Sequence, residues 1–273
     1  MDPLEIFGED ISPLILQHLS VRDIIKCSLV SNFWYEIIGQ NCASKIWLRF
    51  YQPLEDVECL MKSKRKYTNF KIQRGFPEKL LPVFNKFKWK HVMLRDDIEM
   101  SYEKLVEFLQ DLSPTIESLD LWDIGTKNNF ENLIKIDFPK LKKLEMNLTT
   151  RAVFSLFLGH NPKLIEVTFR DESMNFRNVE QELMLPSNLL HEFLIQNHIE
   201  ILKLLHCDWT FENDLTQGIS SNFKRLTLTV TTNGRTTNML ANVCKFIKAR
   251  PIKNVSASQE IHGGRTKYLT IYY

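Results

Sequence analysis

FGEDISPLILQHLSVRDIIKCSLVSNFWYEIIGQNCASKIWLRF, residues 7–50, is the stretch that sets the architecture. Its apolar residues fall at Phe7, Ile11, Ile15 and Leu19, then at Ile24, Ile25, Leu29, Val30, Phe33 and Trp34. Intervals of three and four place these side chains on one face of short amphipathic helices, whereas a half-buried strand would need strict alternation. The first helix is expected from Glu9 or Ser12 to Leu19, with Pro13 in its first turn, where a missing N–H has no intrahelical partner. Ser20 and Asp23 supply oxygen acceptors for the free N–H groups of a second helix.

Read position by position, this stretch resembles the F-box, the adaptor-binding module of SCF-type ubiquitin ligases. Asp10-Ile11 stands for the family's Glu-Ile, and Ile15, Leu19 and Val21-Arg-Asp-Ile-Ile25 follow in register. Leu29-Val-Ser-Asn-Phe-Trp34 and Trp47 complete the match. Phe7-Gly8 replaces the usual Leu-Pro, and Ser31 stands where the family often has Cys. The resemblance implies a Skp-family adaptor as partner and, through it, a cullin-RING ligase. It implies adaptor-binding roles for Phe7, Ile11, Ile15, Leu19, Val21, Ile24, Ile25, Val30, Phe33 and Trp34. An ordinary three-helix bundle, with the apolar stripe as plain core, is the other reading. So short a segment buries little surface alone, which favours a partner that completes its contacts.

The remaining composition is that of a globular chain: 273 residues, 44% hydrophobic and 25% charged, with net charge +2. Charge is uneven along it. Residues 62–90 hold ten Lys or Arg against Glu78 alone, while the preceding 61 residues hold four basic and nine acidic groups. Such a run is expected to be a solvated face, an import signal at Lys62–Lys66, or an attractor of an acidic partner. Five cysteines without CxxC spacing predict neither zinc nor disulfides. No signal peptide and no bilayer-spanning run are apparent, so the expected location is cytoplasmic, nuclear or both.

From Trp89 onward an apolar-x-x-apolar-x-apolar pattern recurs. It appears at Trp89/Val92/Leu94, Ile116/Leu119/Leu121, Leu141/Leu144/Met146, Leu164/Val167/Phe169, Ile199/Leu202/Leu204 and Phe223/Leu226/Leu228, with a poorer copy at Ile252/Val255/Ala257. Most steps match the spacing of leucine-rich repeats, which the pattern resembles, and one insertion separates Phe169 from Leu204. Helix-like segments lie between the copies at 102–112, 152–159, 189–196 and 239–249, and Lys267–Tyr273 alternates as a closing strand. The predicted fold class is α/β: an F-box helical domain over 1–50, a basic connecting segment over 51–88, and a solenoid of about seven irregular repeats over 89–273. The family's Asn or Cys after each strand is met only by Cys207, so an irregular α/β domain is the alternative.

No catalytic constellation is expected. His191-Glu192 starts like a zinc-protease motif, but Ile195 occupies the second His position, and no phosphate loop or nucleophile elbow occurs. No metal or cofactor is expected either. In a repeat whose apolar positions point inward, the alternating residues face the other side of the sheet. Met93, Arg95, Asp120, Trp122, Lys143, Glu145, Arg170, Lys203 and Arg225 are therefore the candidate substrate-binding row, with Trp122 as its anchor. The mixed charge of that row fits a protein and argues against nucleic acid. Together these features predict a non-enzymatic substrate receptor of a ubiquitin ligase, or else a repeat scaffold without a ligase role.

Overall fold

A computed structural model of the chain describes residues 3–50, 57–63, 65–72, 80–95, 98–99, 101–122, 124–125, 134–147, 151–170, 193, 196–197, 199–205, 225–231, 254–261 and 265–272. The helix-like segments expected at 189–196 and 239–249 fall largely or wholly outside the described residues, as do Lys64 and Cys207. Two compact units divide at Ile98.

The first unit opens with α1 (Pro3–His18), α2 (Val21–Cys27) and α3 (Asn32–Asn41). Helix α1 starts earlier than the sequence suggests. Pro3 provides a ring pre-set for a first helical position, and the helix continues through Pro13 despite the lost N–H. The caps follow the sequence more closely. Ser20 Oγ accepts from the Asp23 amide at 3.2 Å and donates to its carboxylate at 2.6 Å. Ser31, the departure from the family's Cys, caps α3 by accepting from the Trp34 amide at 3.2 Å. Lys45 lies in a 3-10 turn (Ala43–Lys45), and its ammonium meets the carbonyls of Gln17 and Leu19, where a helix end favours positive charge. The helices enclose one small core of Leu16, Ile24, Ile38, Cys42 and Ile46, against which Leu19, Cys27, Trp34, Ile37 and Tyr67 pack.

After these helices come β1 (Trp47–Phe50), α4 (Glu58–Lys62), β2 (Asn69–Ile72), α5 (Leu81–Lys86) and β3 (His91–Leu94). The three strands pair in parallel, and Trp47, Asn69 and His91 stand opposite one another in steps of 22 residues. The segment expected to connect two domains thus contributes a strand and its own core. Phe70 lies with ring centroids 5.3 Å from Phe50, 4.4 Å from Phe84 and 5.3 Å from Trp89. Trp89 is fully buried and donates its indole N–H to the Phe84 carbonyl at 3.2 Å, so its one polar atom is satisfied. A short strand β4 (Ile98–Glu99) stands at the boundary of the units.

The second unit contains α6 (Tyr102–Leu112), β5 (Ser118–Leu121), β6 (Ile124–Gly125), β7 (Lys143–Asn147), α7 (Arg151–Ser155), β8 (Glu166–Arg170), β9 (Ile201–Leu205), β10 (Arg225–Thr231), β11 (Asn254–Ile261) and β12 (Arg265–Tyr272). Helix α6 coincides with the expected segment. Ser101 caps it, and Leu105, Val106, Phe108, Leu109 and Leu112 form its buried face. Strands β5, β7, β8, β9 and β10 pair in parallel in chain order. The last two strands depart from that order. β12 pairs antiparallel with β10, and β11 pairs antiparallel with β12, so Val255 and Ala257 belong to a closing hairpin and not to another parallel repeat.

One local geometry recurs through both units. The carbonyl of Thr68 accepts from the amides of Lys90 and His91, that of Glu117 from Lys142 and Lys143, that of Lys142 from Ile165 and Glu166, and that of Ile165 from Glu200 and Ile201. Each accepting residue follows the first apolar position of its copy, at Tyr67, Ile116, Leu141 or Leu164. Tyr67/Phe70/Ile72 is therefore a further copy of the pattern, ahead of Trp89. The longer step into β9 keeps the same bonding. Every described apolar position from Trp89 to Leu202 in the pattern is buried.

A tight approach closes one turn of the second unit. Residues 134–138 run beside 155–160, with Ile136 N–H donating to the Leu156 carbonyl at 2.9 Å and His160 N–H to the Asp137 carboxylate at 2.6 Å. A Cβ at Gly159 would strike the Ile136 carbonyl oxygen and lie 2.6 Å from its carbon. Gly159→Ala should therefore destabilise the protein by about 1–3 kcal/mol through overpacking against backbone. Chemical denaturation measures it, and an unchanged midpoint would mean the two segments separate freely.

Candidate protein-docking face

The helical core of the first unit consumes only one stripe of its apolar residues. Helix α1 leaves Ile11, Leu14 and Ile15 exposed at the i, i+3, i+4 spacing of one face, and α2 leaves Val21 and Ile25 exposed one turn apart. The turn after α2 carries Leu29 at 78% and Val30 at 66% exposure, and Phe33 is exposed in the first turn of α3. Eight of the twelve large apolar side chains exposed among the described residues lie between 11 and 33, so the apolar surface is concentrated there. Concentration of this kind marks an interaction site more than scattered exposure does. Covering these side chains offers on the order of 10 kcal/mol of gross transfer free energy, before the costs of association.

Of the residues expected to bind an adaptor, Ile11, Ile15, Val21, Ile25, Val30 and Phe33 are on this exposed surface. Leu19 and Trp34 are half-buried and pack against the core. Ile24 is a correction: at 0% exposure it is inside the core and supports the surface from beneath. The side chain of Phe7 lies outside the described residues. Leu14 and Leu29 were missed as surface residues. The spacing of Leu14 from Ile11 was a signal for the first, whereas Leu29 sits at the end of a helix, where periodicity gives no direction.

The candidate substrate row is less open than alternation suggests. In the first unit Met93 and Arg95 are half-buried. In the second, Asp120 pairs in register with Glu145, and Glu145 with Thr168. Asp120 at 6% and Thr168 at 4% exposure are buried, which corrects the expectation of an accessible Asp120. Trp122 and Glu145 are half-buried. The side chains of Arg170 and Arg225 lie outside the described residues.

Lys143 is exposed and Lys203 half-buried, and the two are joined through Glu166, a carboxylate that no sequence motif singles out. Glu166 accepts from Lys143 at 2.9 Å and from Lys203 at 2.5 Å, Lys143 being its direct cross-strand neighbour and Lys203 its diagonal one. Burial pushes the Glu166 carboxyl upward, but the hydrogen bonds and charges of Lys203 and Lys143 outweigh it and hold the group below its ordinary value. One of the two positive charges of these lysines is thus answered within the sheet by Glu166.

Among the described residues no group of His, Cys, Asp and Glu is arranged to hold a metal, and no helix is long and apolar enough to cross a membrane. His191 lies outside the described residues. Cys42 is buried in the helical core, and that burial raises its pKa, with Lys45 opposing.

Residues 5–42 match the F-box domain. That span contains α2, α3, all of α1 but its first two residues, and the whole exposed apolar surface described above. The match supports an F-box protein with a role as an adaptor-binding subunit of SCF-type ligases. F-box domains bind Skp-family adaptors in cullin-RING ligases, and F-box proteins are typically non-enzymatic. No curated protein matches the chain.

The Glu166 network gives an acid-dependence with a definite sign. A depressed folded-state pKa means the stabilisation is fully present above the unfolded glutamate value, about 4.3, and is lost as pH falls through the folded value. Glu166→Gln should therefore lower stability at neutral pH, with the gap to the parent protein closing as the solution is acidified below that range. Denaturation midpoints across pH check this, and a gap independent of pH would contradict it.

Proposed function

We infer that the chain is a substrate-recognition subunit of an SCF-type ubiquitin ligase. The observation that carries this reading is the coincidence of the F-box match with the exposed apolar surface at residues 11–33. The Skp-family adaptor covers that surface and links the chain to a cullin-RING ligase. The strands and helices from about residue 89 onward act as an irregular leucine-rich-repeat solenoid that holds a protein substrate. The recurring carbonyl-to-two-amide geometry supports a repeat architecture and extends it back to Tyr67. The substrate side uses the sheet row, chiefly Trp122, Lys143, Glu145, Arg170, Lys203 and Arg225, with Met93 and Arg95 in the first unit. The chain makes and breaks no bond itself. It contributes proximity, which raises the effective concentration of substrate lysines at the conjugating enzyme. Its place of action is the cytoplasm, the nucleus or both.

Ile15 and Val30 are exposed in the free chain, so changing them leaves the helical core intact. The double variant Ile15→Asp with Val30→Asp places two carboxylates in what becomes a dry interface, at a cost of several kcal/mol. Co-expressed Skp-family adaptor should be lost from the purified chain while its melting curve is unchanged. Adaptor retained at full stoichiometry by the double variant would reject the reading and favour a repeat scaffold that uses the helices otherwise.

A further inference from the structure

The basic run is not a uniform solvated face. The guanidinium of Arg65 lies 4.3 Å over the Tyr35 ring and donates to Ser28 Oγ at 2.5 Å. Lys86 donates to the carbonyls of Leu60, Met61 and Ser63 at the end of α4, at 3.0, 2.5 and 2.7 Å. These two cations are structural, since they bind the segment after the helices back onto itself and onto α3. Lys62 and Lys66 are different. Both are exposed, Lys62 pairs with the equally exposed Glu58 at 3.1 Å, and each lines a depression against α3.

The larger depression is a groove of about 590 Å³ bordered by Asn32, Tyr35, Leu60, Lys62, Ser63 and Tyr67. A smaller one of about 290 Å³ adjoins it through Tyr35 and Glu36, with Gly39, Gln40, Arg65 and Lys66 along its sides. Among the described residues, none of the apolar side chains of the adaptor-facing surface lines either. Hydroxyl and amide groups on the walls can meet a peptide backbone, and the two exposed ammonium groups stand at the side of α4 and the segment after it. Glu36, exposed on α3, is the one carboxylate among the described lining residues and opposes an anion on its own side.

We propose that this groove docks an acidic peptide segment of a protein partner, with its carboxylates on Lys62 and Lys66. The surplus of positive charge over residues 62–90 supplies the attraction that brings such a segment in. A nucleic acid fits less well, because single strands need open aromatic faces for stacking. Here the face of Tyr35 is covered by Arg65, and Tyr67 packs edge-on against Phe87 with centroids 5.3 Å apart.

The test uses the full chain and a fluorescent twelve-residue peptide rich in Asp and Glu, its Asn/Gln counterpart, and a twelve-nucleotide oligouridylate. Fluorescence anisotropy should show the acidic peptide binding, with affinity falling steeply as salt rises. Lys62→Glu with Lys66→Glu should weaken it by about tenfold or more, whereas Glu36→Gln should tighten it by about twofold. Adaptor copurification should be the same for all three proteins, so failure here is separable from failure of the ligase reading. Equal binding of the neutral peptide, tighter binding of the oligouridylate, or indifference to the charge reversal would each overturn the proposal.

Discussion

Three short helices share a core of only a few side chains, Leu16, Ile24, Ile38, Cys42 and Ile46. A helix of two to four turns with apolar residues on more than one stripe can turn only one of them inward. Leu16 and Ile24 take the inward stripes of α1 and α2, and Ile11, Ile15 and Ile25 are left outside, as is Val30 in the turn that follows α2. An exposed apolar surface of this extent is costly in water for a free chain and favourable under a partner. That imbalance points to a covering partner, and the F-box match supports a Skp-family adaptor in that place.

The same helices are also fastened to the strands of the first unit. Tyr67 packs against the helical core, Thr68 Oγ1 donates to the Ala43 carbonyl at 3.2 Å, and Asn69, itself buried, donates its amide to the Ser44 carbonyl at 2.7 Å. Arg65 ties the segment to Ser28 and Tyr35 from the other side. Within the first unit, then, the docking helices and the strands β1 to β3 form one packed body. For the ligase role inferred above, a fixed geometry between docking surface and neighbouring structure would limit where a substrate is presented.

Much of this was legible in the sequence because period carries direction. Apolar spacing and cap chemistry located α2, a helix-like segment was expected at α6, and the apolar-x-x-apolar-x-apolar pattern located the parallel strands from β3 onward. The sequence was silent where neighbours decide. Tyr67/Phe70/Ile72 was obscured by the basic residues around it, of which Lys62 and Lys66 are exposed while Phe70 and Ile72 are buried. Ile24 and Ile25 are adjacent and chemically alike, and only the packing of α3 decides that the first is buried and the second exposed. Asp120 and Glu166 look like ordinary outward-facing carboxylates. Their burial and their pairing depend on strands 23 to 35 residues away, which no local pattern encodes. The closing strand at Lys267–Tyr273 was legible as β12, but its antiparallel pairing and the hairpin with β11 were not, since an alternating strand reads the same whether it pairs parallel or antiparallel.

The most direct measurement is the mass of the purified full chain in solution, alone and mixed with a Skp-family adaptor, by sedimentation velocity. The expected result is a single species with the summed mass of one chain and one adaptor, and no larger species in the presence of excess adaptor. A chain that sediments independently of the adaptor, or that buries its own apolar face in a stable homodimer which adaptor does not dissociate, would contradict the adaptor-binding role.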